Sequence, residues 1–286
     1  MIHAGIAARG AMAKMKSGDS SSDRGADELR GIQVTLDFTP NALASLMFRQ
    51  GDTMVLACAT KADRLPRWFP RDAERGWVHA EYALLPGSTD TRFRRERNGA
   101  KGRTQEIERL VARSLRGAVN LEELGPIALT VHCDVLNADG GTRCASVTAA
   151  SIALRLAIRR LIASGECLPK EMRLSREDVR NGVEPPSLSA EERAAHEAAV
   201  MPNDVGAISV GMVDGEVRTD LDYVLDSNAD VDMNVVMTSD GGFVEVQGTG
   251  EESTYTREEL DALIDAATAG ITKLHALQAS ILANES

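Results

Sequence analysis

The period of hydrophobic and polar positions changes several times along the chain, and each change marks an element. Residues 1–29 mix Gly, Ser, Ala and charge, including the run Ser20-Ser21-Ser22, with no apolar period. They predict a disordered extension in which Met12 and Met15 are alternative starts. From about 31 to 59 come strand-like runs, among them Thr53-Met54-Val55-Leu56-Ala57-Cys58. Residues 60–76 are polar and contain prolines, so a loop is expected, and Trp77 to Leu85 predicts another strand. A basic loop at 86–103 follows. Ile107, Leu110, Val111, Leu115 and Ala118 then recur at helical spacing and predict a helix over about 104–119. Gly125-Pro126 ends that unit. The apolar run Ala128 to Leu136 predicts a strand, and Asn137-Ala138-Asp139-Gly140-Gly141-Thr142-Arg143 a polar glycine turn. A helix over about 143–164 starts at once, with Val147, Leu154, Ile158 and Leu161 inward.

Residues 165–203 are polar, contain Pro185-Pro186, and hold a short helix opened by a Ser189/Glu192 capping box. They read as an inserted surface excursion. Strands resume at Val205–Gly211, Arg218–Leu225, Met233–Thr238 and Gly242–Gln247. Thr256 with Glu259 caps a last helix whose apolar face is Leu260, Leu263, Ile264, Ala267, Ile271 and Leu274. Strands, two helices around one strand, more strands and a final helix make an α+β order, with helices packed on mixed sheets.

Composition places this pattern in a globular chain. Its 286 residues are enough for a large core, and 43% hydrophobic with 26% charged residues is an ordinary soluble balance. No apolar run is long enough for a membrane helix, and Arg9, Lys14 and Lys16 interrupt any signal-peptide core. Cys58, Cys133, Cys144 and Cys167 lack paired metal-ligand spacing and read as reduced thiols, so a cytoplasmic protein is expected. The net charge of −11 argues against a general nucleic-acid binder, yet residues 92–116 reverse it locally with nine basic residues against three acidic. Such a run is either a solvated helix face or a stripe that guides a polyanion to one place.

Two constellations carry candidate chemistry. A strand, a glycine turn and a helix start form a place for an anion. Adjacent glycines admit close backbone approach, the helix start offers unsatisfied N–H donors, and Thr142 and Arg143 add a hydroxyl and a planar fork. The bland alternative is an ordinary turn. Farther on, Asp220, Asp222 and Asp226 crowd carboxylates together; on a strand, Asp220 and Asp222 would share a face. Crowded carboxylates call for a cation or basic partners, although an Asx-rich turn would look the same. A calcium loop over Asp226-x-Asn228-x-Asp230 is excluded, because Val231 stands where glycine is needed and Met237 where the bidentate glutamate belongs.

Three long segments go further. YALLPGSTDTRFRRERNGAKGRTQEIERLVARSLR, CDVLNADGGTRCASVTAASIAL and ISVGMVDGEVRTDLDYVLDSNADVDMNVVMTSDGGFVEVQGTGEE resemble the bacterial ribonuclease PH family, and, more distantly, polynucleotide phosphorylase and the archaeal exosome ring subunits. The resemblance runs from about Leu29 to the C-terminus, leaving out roughly 172–202. It implies a ribonuclease PH fold with a ribosomal-protein-S5-domain-2-like core, forming a single domain over 30–286 with a surface insertion at about 172–202. It implies a phosphorolytic 3′→5′ exoribonuclease that trims tRNA precursors, releases nucleoside diphosphates and runs in reverse. It also implies a homo-hexamer built as a trimer of dimers. By the same resemblance, Arg103, Gly141, Thr142 and Arg143 would hold phosphate, with Arg103 also catalytic. Asp220 and Asp226 would bind Mg2+ (or Mn2+) and assist catalysis. Arg92 and Arg95 would track RNA. Three departures stand out. Gly87 replaces the family's usual arginine after Leu-Pro, a loss that Arg94 would offset; the lysine- and glycine-rich run is shortened to Asn98–Gly102; and the 172–202 excursion is long. Surface insertions are cheap, so decoration is expected there. The alternatives are an inactive RNA-binding ring subunit, which retention of Arg103, Arg143, Asp220 and Asp226 disfavours, and a broad exoribonuclease acting on rRNA or mRNA.

Overall fold

Two sheets share one long central helix. The computed structural model describes residues 24–70, 72–96, 98–250 and 254–285. The first sheet has the order β1-β2-β3-β5-β4, from β1 (Ile32–Leu36), β2 (Ala44–Gln50), β3 (Thr53–Lys61), β4 (Trp77–Leu84) and β5 (Ala128–Asn137). Pairing is antiparallel except between β4 and β5, which run parallel with Leu84 opposite Val135. A parallel pair needs a crossover, and here it carries α1 (Gly102–Ala118) and α2 (Leu121–Leu124). The second sheet is antiparallel throughout, ordered β7-β6-β8-β9 from β6 (Val205–Val213), β7 (Glu216–Thr219), β8 (Val231–Thr238) and β9 (Phe243–Gly250).

The central helix, α3 (Thr142–Ala163), packs on β2, β3 and β5 of one sheet and on β6 of the other. The sequence suggests one apolar stripe, but every residue from Cys144 to Ile158 is buried. Its small polar residues explain how. The upper part of β6 has no β7 beside it, so two of its N–H groups donate instead to hydroxyls of α3: Val205 to Ser151 Oγ at 3.0 Å and Ala207 to Thr148 Oγ1 at 3.2 Å. A buried helix of larger residues could neither approach so closely nor satisfy those donors. One core cluster therefore runs from β2 and β3 through α3 to Val205, Ala207 and Val236 of the second sheet. The last helix, α7 (Arg257–Ala283), covers β6, β7 and β8 with Leu263, Ala267, Ile271 and Leu274, and its Thr256/Glu259 capping box forms as the sequence suggests.

Two expectations need correction. The extension read over 1–29 lies outside the described residues up to 23, but residues 24–29 are bonded to the second sheet. Thr219 N donates to Ala26 O at 2.8 Å, and Arg24 Nη1 donates to Thr219 O at 2.9 Å. The excursion is also more than decoration. Past the short α4 (Arg176–Arg180), helix α5 (Ala190–Val200) docks on α3, and Leu188, Val200 and Met201 enter the main core. Arg155 of α3 donates to Glu197 at 3.2 Å and to Asp204 at 2.7 Å, and Arg159 donates to Glu197 at 2.8 Å. Among the described residues, no helix is long and apolar enough to cross a membrane.

Candidate active site

The parallel pairing of β4 with β5 brings the basic loop beside the glycine turn. Ala138 N donates to Ser88 O at 2.8 Å, which ties the loop after β4 to the turn after β5. Tyr82 on β4 reaches the start of α3, where its hydroxyl lies 2.9 Å from Thr142 Oγ1. Arg103, in the first turn of α1, and Arg143, in the first turn of α3, both act electrostatically on that phenol. Burial pushes the Tyr82 hydroxyl up, against the bond to Thr142 and the two arginines, so it stays a neutral hydrogen-bonding group. The structure thus sets Thr142 and Arg143 at the N-terminus of α3 and brings Arg103, at the N-terminus of α1, within electrostatic reach of Tyr82 beside them. There the first N–H groups have no intrahelical partner and the macrodipole is positive. Helix α1 starts at Gly102, two residues before the expected boundary, so Arg103 is in its first turn rather than ahead of it.

Arg143 is held from two sides: Nη1 donates to Glu106 on α1 at 3.0 Å and to Gln247 on β9 at 2.8 Å. Glu106, Gln247 and Tyr82 are positioning residues that sequence reasoning missed. Glu106 could have been found, since it stands one turn beyond Arg103, but Gln247 and Tyr82 become relevant only through sheet pairing.

Gly141 (φ 61°) caps α3, and Gly140 (φ 72°) precedes it, both in the left-handed region where glycine is at ease. Gly140 also abuts the aspartate loop. A Cβ there would lie 2.4 Å from Asp222 C, 2.6 Å from Leu221 O and 2.7 Å from Tyr223 N. Backbone meets backbone at this point, which fixes the glycine turn against the segment that carries Asp226.

That segment departs from the expected strand. β7 ends at Thr219, Asp220 takes a left-handed φ of 60°, and Asp222 caps the short α6 (Tyr223–Ser227) by accepting from Leu225 N at 2.9 Å. Asp220 and Asp222 therefore do not share a strand face. Asp220 is 2% exposed, and its carboxylate is engaged. Oδ1 accepts from Arg30 Nη2 at 2.7 Å and Nε at 3.1 Å, and Oδ2 accepts from Arg30 N at 2.8 Å. Burial alone would raise this carboxyl, but Arg30 and Gln50 outweigh it and hold it below the usual carboxylate range. Asp226 is exposed, and its charge reaches Cys144, the residue after Arg143. Among the described residues, no three His, Cys, Asp or Glu side chains form a metal cage. An exposed carboxylate suits a hard cation that keeps water and takes phosphate oxygens as further ligands, so Asp226 fits such a role. Asp220, with both oxygens bonded to Arg30, does not fit as a direct ligand in this arrangement. Cys144 is no nucleophile: burial pushes its thiol up to about 12, and Sγ donates to Asn234 Oδ1 at 3.1 Å.

Arg92 and Arg95 lie elsewhere in the basic loop. With Phe93, Arg94, Glu96, Asn98 and Lys101 they line a cavity of about 720 Å³ that does not include Arg103 or Arg143. Arg103, Thr142 and Arg143 on one hand and the loop arginines on the other are thus distinct groups, joined through Lys101 at the start of α1, whose N–H donates to Glu96 at 3.0 Å. Arg95 acts electrostatically on Asp134 of β5.

Residues 28–159 match domain 1 of the 3′ exoribonuclease family, and residues 204–270 match domain 2. The two matches correspond to the two sheets, and the gap between them falls on the excursion that carries α4 and α5. A ribonuclease PH from Corynebacterium kroppenstedtii is 44% identical over 253 residues, covering 88% of each chain. In fold the chain is similar to rice Rrp46, with a TM-score of 0.65 at 17% identity, covering 91% of this chain and 99% of that one. It is equally similar to a chain of the Archaeoglobus fulgidus exosome, solved with RNA bound to its active site, with a TM-score of 0.65 at 21% identity and coverage of 89% and 90%. With both domain matches in place and this degree of identity, the chain belongs to the 3′ exoribonuclease family, the family of ribonuclease PH.

Proposed function

We propose that the protein shortens RNA from its 3′ end by phosphorolysis, releasing nucleoside diphosphates, and that tRNA precursors are its main substrates. One observation carries the reading: Thr142 bonds Tyr82 at the N-terminus of α3, where Arg103 and Arg143 both act electrostatically on the same phenol, with Asp226 on the loop packed against Gly140. Inorganic phosphate is a free dianion near neutral pH. Two guanidinium groups, a hydroxyl and the helix N-terminus neutralise and orient it. One of its oxygens attacks the phosphorus of the last phosphodiester in line with the departing 3′ oxygen. The bond to that oxygen breaks, the shortened RNA recovers a 3′ hydroxyl, and the phosphate leaves joined to the terminal nucleotide as a diphosphate. No high-energy bond is lost, so the reaction runs both ways.

Arg103 and Arg143 stabilise charge on the nonbridging oxygens as it builds. Arg92 and Arg95 hold the strand by its phosphates, which carry no sequence information. A divalent cation, Mg2+ or Mn2+, would be held on Asp226 and would supply charge neutralisation at the scissile phosphate. Asp220 acts from its buried position by holding the loop on which Asp226 stands. We further propose a cytoplasmic homo-hexamer assembled as a trimer of dimers.

The test uses a 3′-extended tRNA with Mg2+, with and without phosphate. Phosphate-dependent shortening with diphosphate products is expected. Equal shortening without phosphate, or monophosphate products, would sink phosphorolysis. Faster decay of unstructured RNA than of tRNA ends would replace tRNA maturation with broad turnover. A native mass well below six copies of 30.7 kDa would remove the hexamer.

A further inference from the structure

The interior holds one charged side chain whose reach spans both halves of the site and which the mechanism above does not use. Arg30 stands ahead of β1 and is 8% exposed. Its guanidinium and backbone N–H give Asp220 the three hydrogen bonds described above. Its remaining nitrogen, Nη1, donates to Asp139 O at 2.5 Å, in the phosphate turn. Nη2 also packs on Gly141, where a Cβ would come within 3.1 Å. The stem of Arg30 runs over Gly51 in the turn between β2 and β3, where a Cβ would lie 2.7 Å from Arg30 Cδ. That same turn supports the phosphate turn from behind: Thr53 Oγ1 donates to Gly140 O at 2.7 Å and accepts from Asp139 N at 3.1 Å.

The aspartate loop shows why a clamp is needed. Asp220 is one of three non-glycine residues with positive φ among the described residues, a conformation that persists only where its surroundings over-determine it. Those surroundings are plain. Its N–H donates to Ser209 O at 2.7 Å, its carbonyl accepts from Arg24 Nη2 at 2.8 Å, and its carboxylate is fixed by Arg30. A buried carboxylate without Arg30 would lose its charge partner and with it the reason to hold this backbone.

We infer that Arg30 is a positioning residue for the reaction, locking the phosphate turn (Asp139–Gly141) and the Asp220–Asp226 loop into one rigid unit. The inference rests on the phosphorolytic reading. It implies that the phosphate site and the carboxylate of Asp226 keep their separation because one guanidinium bonds both loops. Loosening Arg30 therefore weakens phosphate binding and turnover together, although Arg30 touches neither substrate.

The test compares wild type, Arg30→Gln, Arg30→Lys, Asp220→Asn and the double variant Arg30→Gln/Asp220→Asn. Each is assayed for thermal stability, KM for phosphate, kcat and the Mg2+ concentration for half-maximal rate. Arg30→Gln is expected to raise the phosphate KM by about 10-fold and lower kcat by about 100-fold, the scale of a 1 Å misplacement. Arg30→Lys keeps the charge facing Asp220 but gives up the fork toward Asp139 O, and should recover part of kcat but little of KM. Because the two residues act as one device, the double variant should be no worse than the worse single variant. A lowered melting temperature with wild-type phosphate KM, kcat and Mg2+ dependence in the folded protein would make Arg30 a stabilising residue only and overturn the inference, as would additive losses in the double variant. If Arg30→Gln does not fold, Arg30→Lys alone decides by the same readouts. Wild type lacking phosphorolysis would instead defeat the functional reading, so the two failures are told apart.

Discussion

Gly140 offers the sharpest test of the contact between the two loops. Replacing it with alanine does two separable things. It places an L-residue at φ 72°, which costs about 1–2 kcal/mol in the left-handed region. It also sets a methyl 2.4 Å from the carbonyl carbon of Asp222, with two further backbone atoms inside 2.8 Å. No side chain can swing away to relieve those contacts. Ordinary contact needs about 3.4 Å, so the loops must part by about 1 Å, the displacement that costs about 100-fold in rate when reacting groups are held by position. That is about 2.7 kcal/mol on the barrier. Gly141→Ala is the matched control. Its φ of 61° carries the same backbone strain, but its nearest neighbours are Arg30 Nη2 at 3.1 Å and Ser209 Oγ at 3.4 Å, so the shift it demands of the Arg30 clamp is a few tenths of an ångström rather than about 1 Å. In urea unfolding both variants should lose about 1–2 kcal/mol from backbone strain, and Gly140→Ala more, because its backbone clash adds to that strain. Only Gly140→Ala should lose about 100-fold in kcat on a 3′-extended tRNA at saturating phosphate, with Gly141→Ala within about 10-fold of wild type. Equal turnover in the two would mean that the separation of the loops does not set the rate, and the site would have to be rebuilt without that contact.

Arg143→Ala removes one of the two guanidinium groups proposed to hold phosphate and should raise the phosphate KM by about 10- to 100-fold; unchanged phosphate dependence in a steady-state titration would reject it as a ligand. Asp226→Asn should abolish turnover across a Mg2+ or Mn2+ titration while native mass is unchanged, and rescue by higher cation would show that other groups hold the metal. Glu197→Ala leaves the buried Arg155 short of a partner and should cost about 2–4 kcal/mol in chemical unfolding, whereas shortening the exposed stretch near 181–186 should cost under about 1 kcal/mol. His196 of α5 is buried beside Cys167, and burial lowers its pKa from the ordinary 6.5. A depressed histidine pKa means the unfolded state binds the extra proton, so docking of α5 is at full strength above about 6.5 and weakens as pH falls below it. Protection in α5, with exchange referred to the intrinsic rate at each pH, should therefore fall between pH 7.5 and 5.5 in wild type and not in His196→Gln.

Much of the fold was legible because most of its elements are half-buried and periodic. The alternation Thr53, Val55, Ala57, Ala59 faces inward along β3 as the pattern indicates, and the stripe on α1 is buried at each expected position from Ile107 to Ala118. Pattern reading failed where burial is all-round or where polar groups do the packing. Helix α3 has no single stripe because sheets lie on two sides of it, and α5 docks through Arg155, Arg159 and Glu197 rather than through a broad apolar face. The stretch Thr219-Asp220-Leu221-Asp222-Tyr223 alternates with the period of a strand, and that signal misled. Asp222 instead caps a turn of helix, a competing preference of short acidic side chains.

The candidate site was legible in its parts but not in its wiring, and the reason is sequence distance. Arg103, Thr142 and Arg143 announce themselves by type and by their place at helix starts, whereas Arg30 sits between a polar extension and the first strand, in no period and no motif. Its partner Asp220 is 190 residues away, and only closure of both sheets around α3 brings the two together. The same closure changes the surroundings of Asp220. Read in sequence, it is one of two aspartates that together hold a cation; in the folded chain its charge is matched by a guanidinium, whereas Asp226, six residues on, is exposed. A buried ion pair is weak evidence for stability, since desolvation offsets most of the attraction. Its value here lies in direction: a pair that bonds two loops at fixed geometry resists their relative motion in a way that an apolar contact of equal area would not. If that is so, substitutions at Arg30 and Asp220 will move the kinetics of phosphorolysis more than they move the melting temperature.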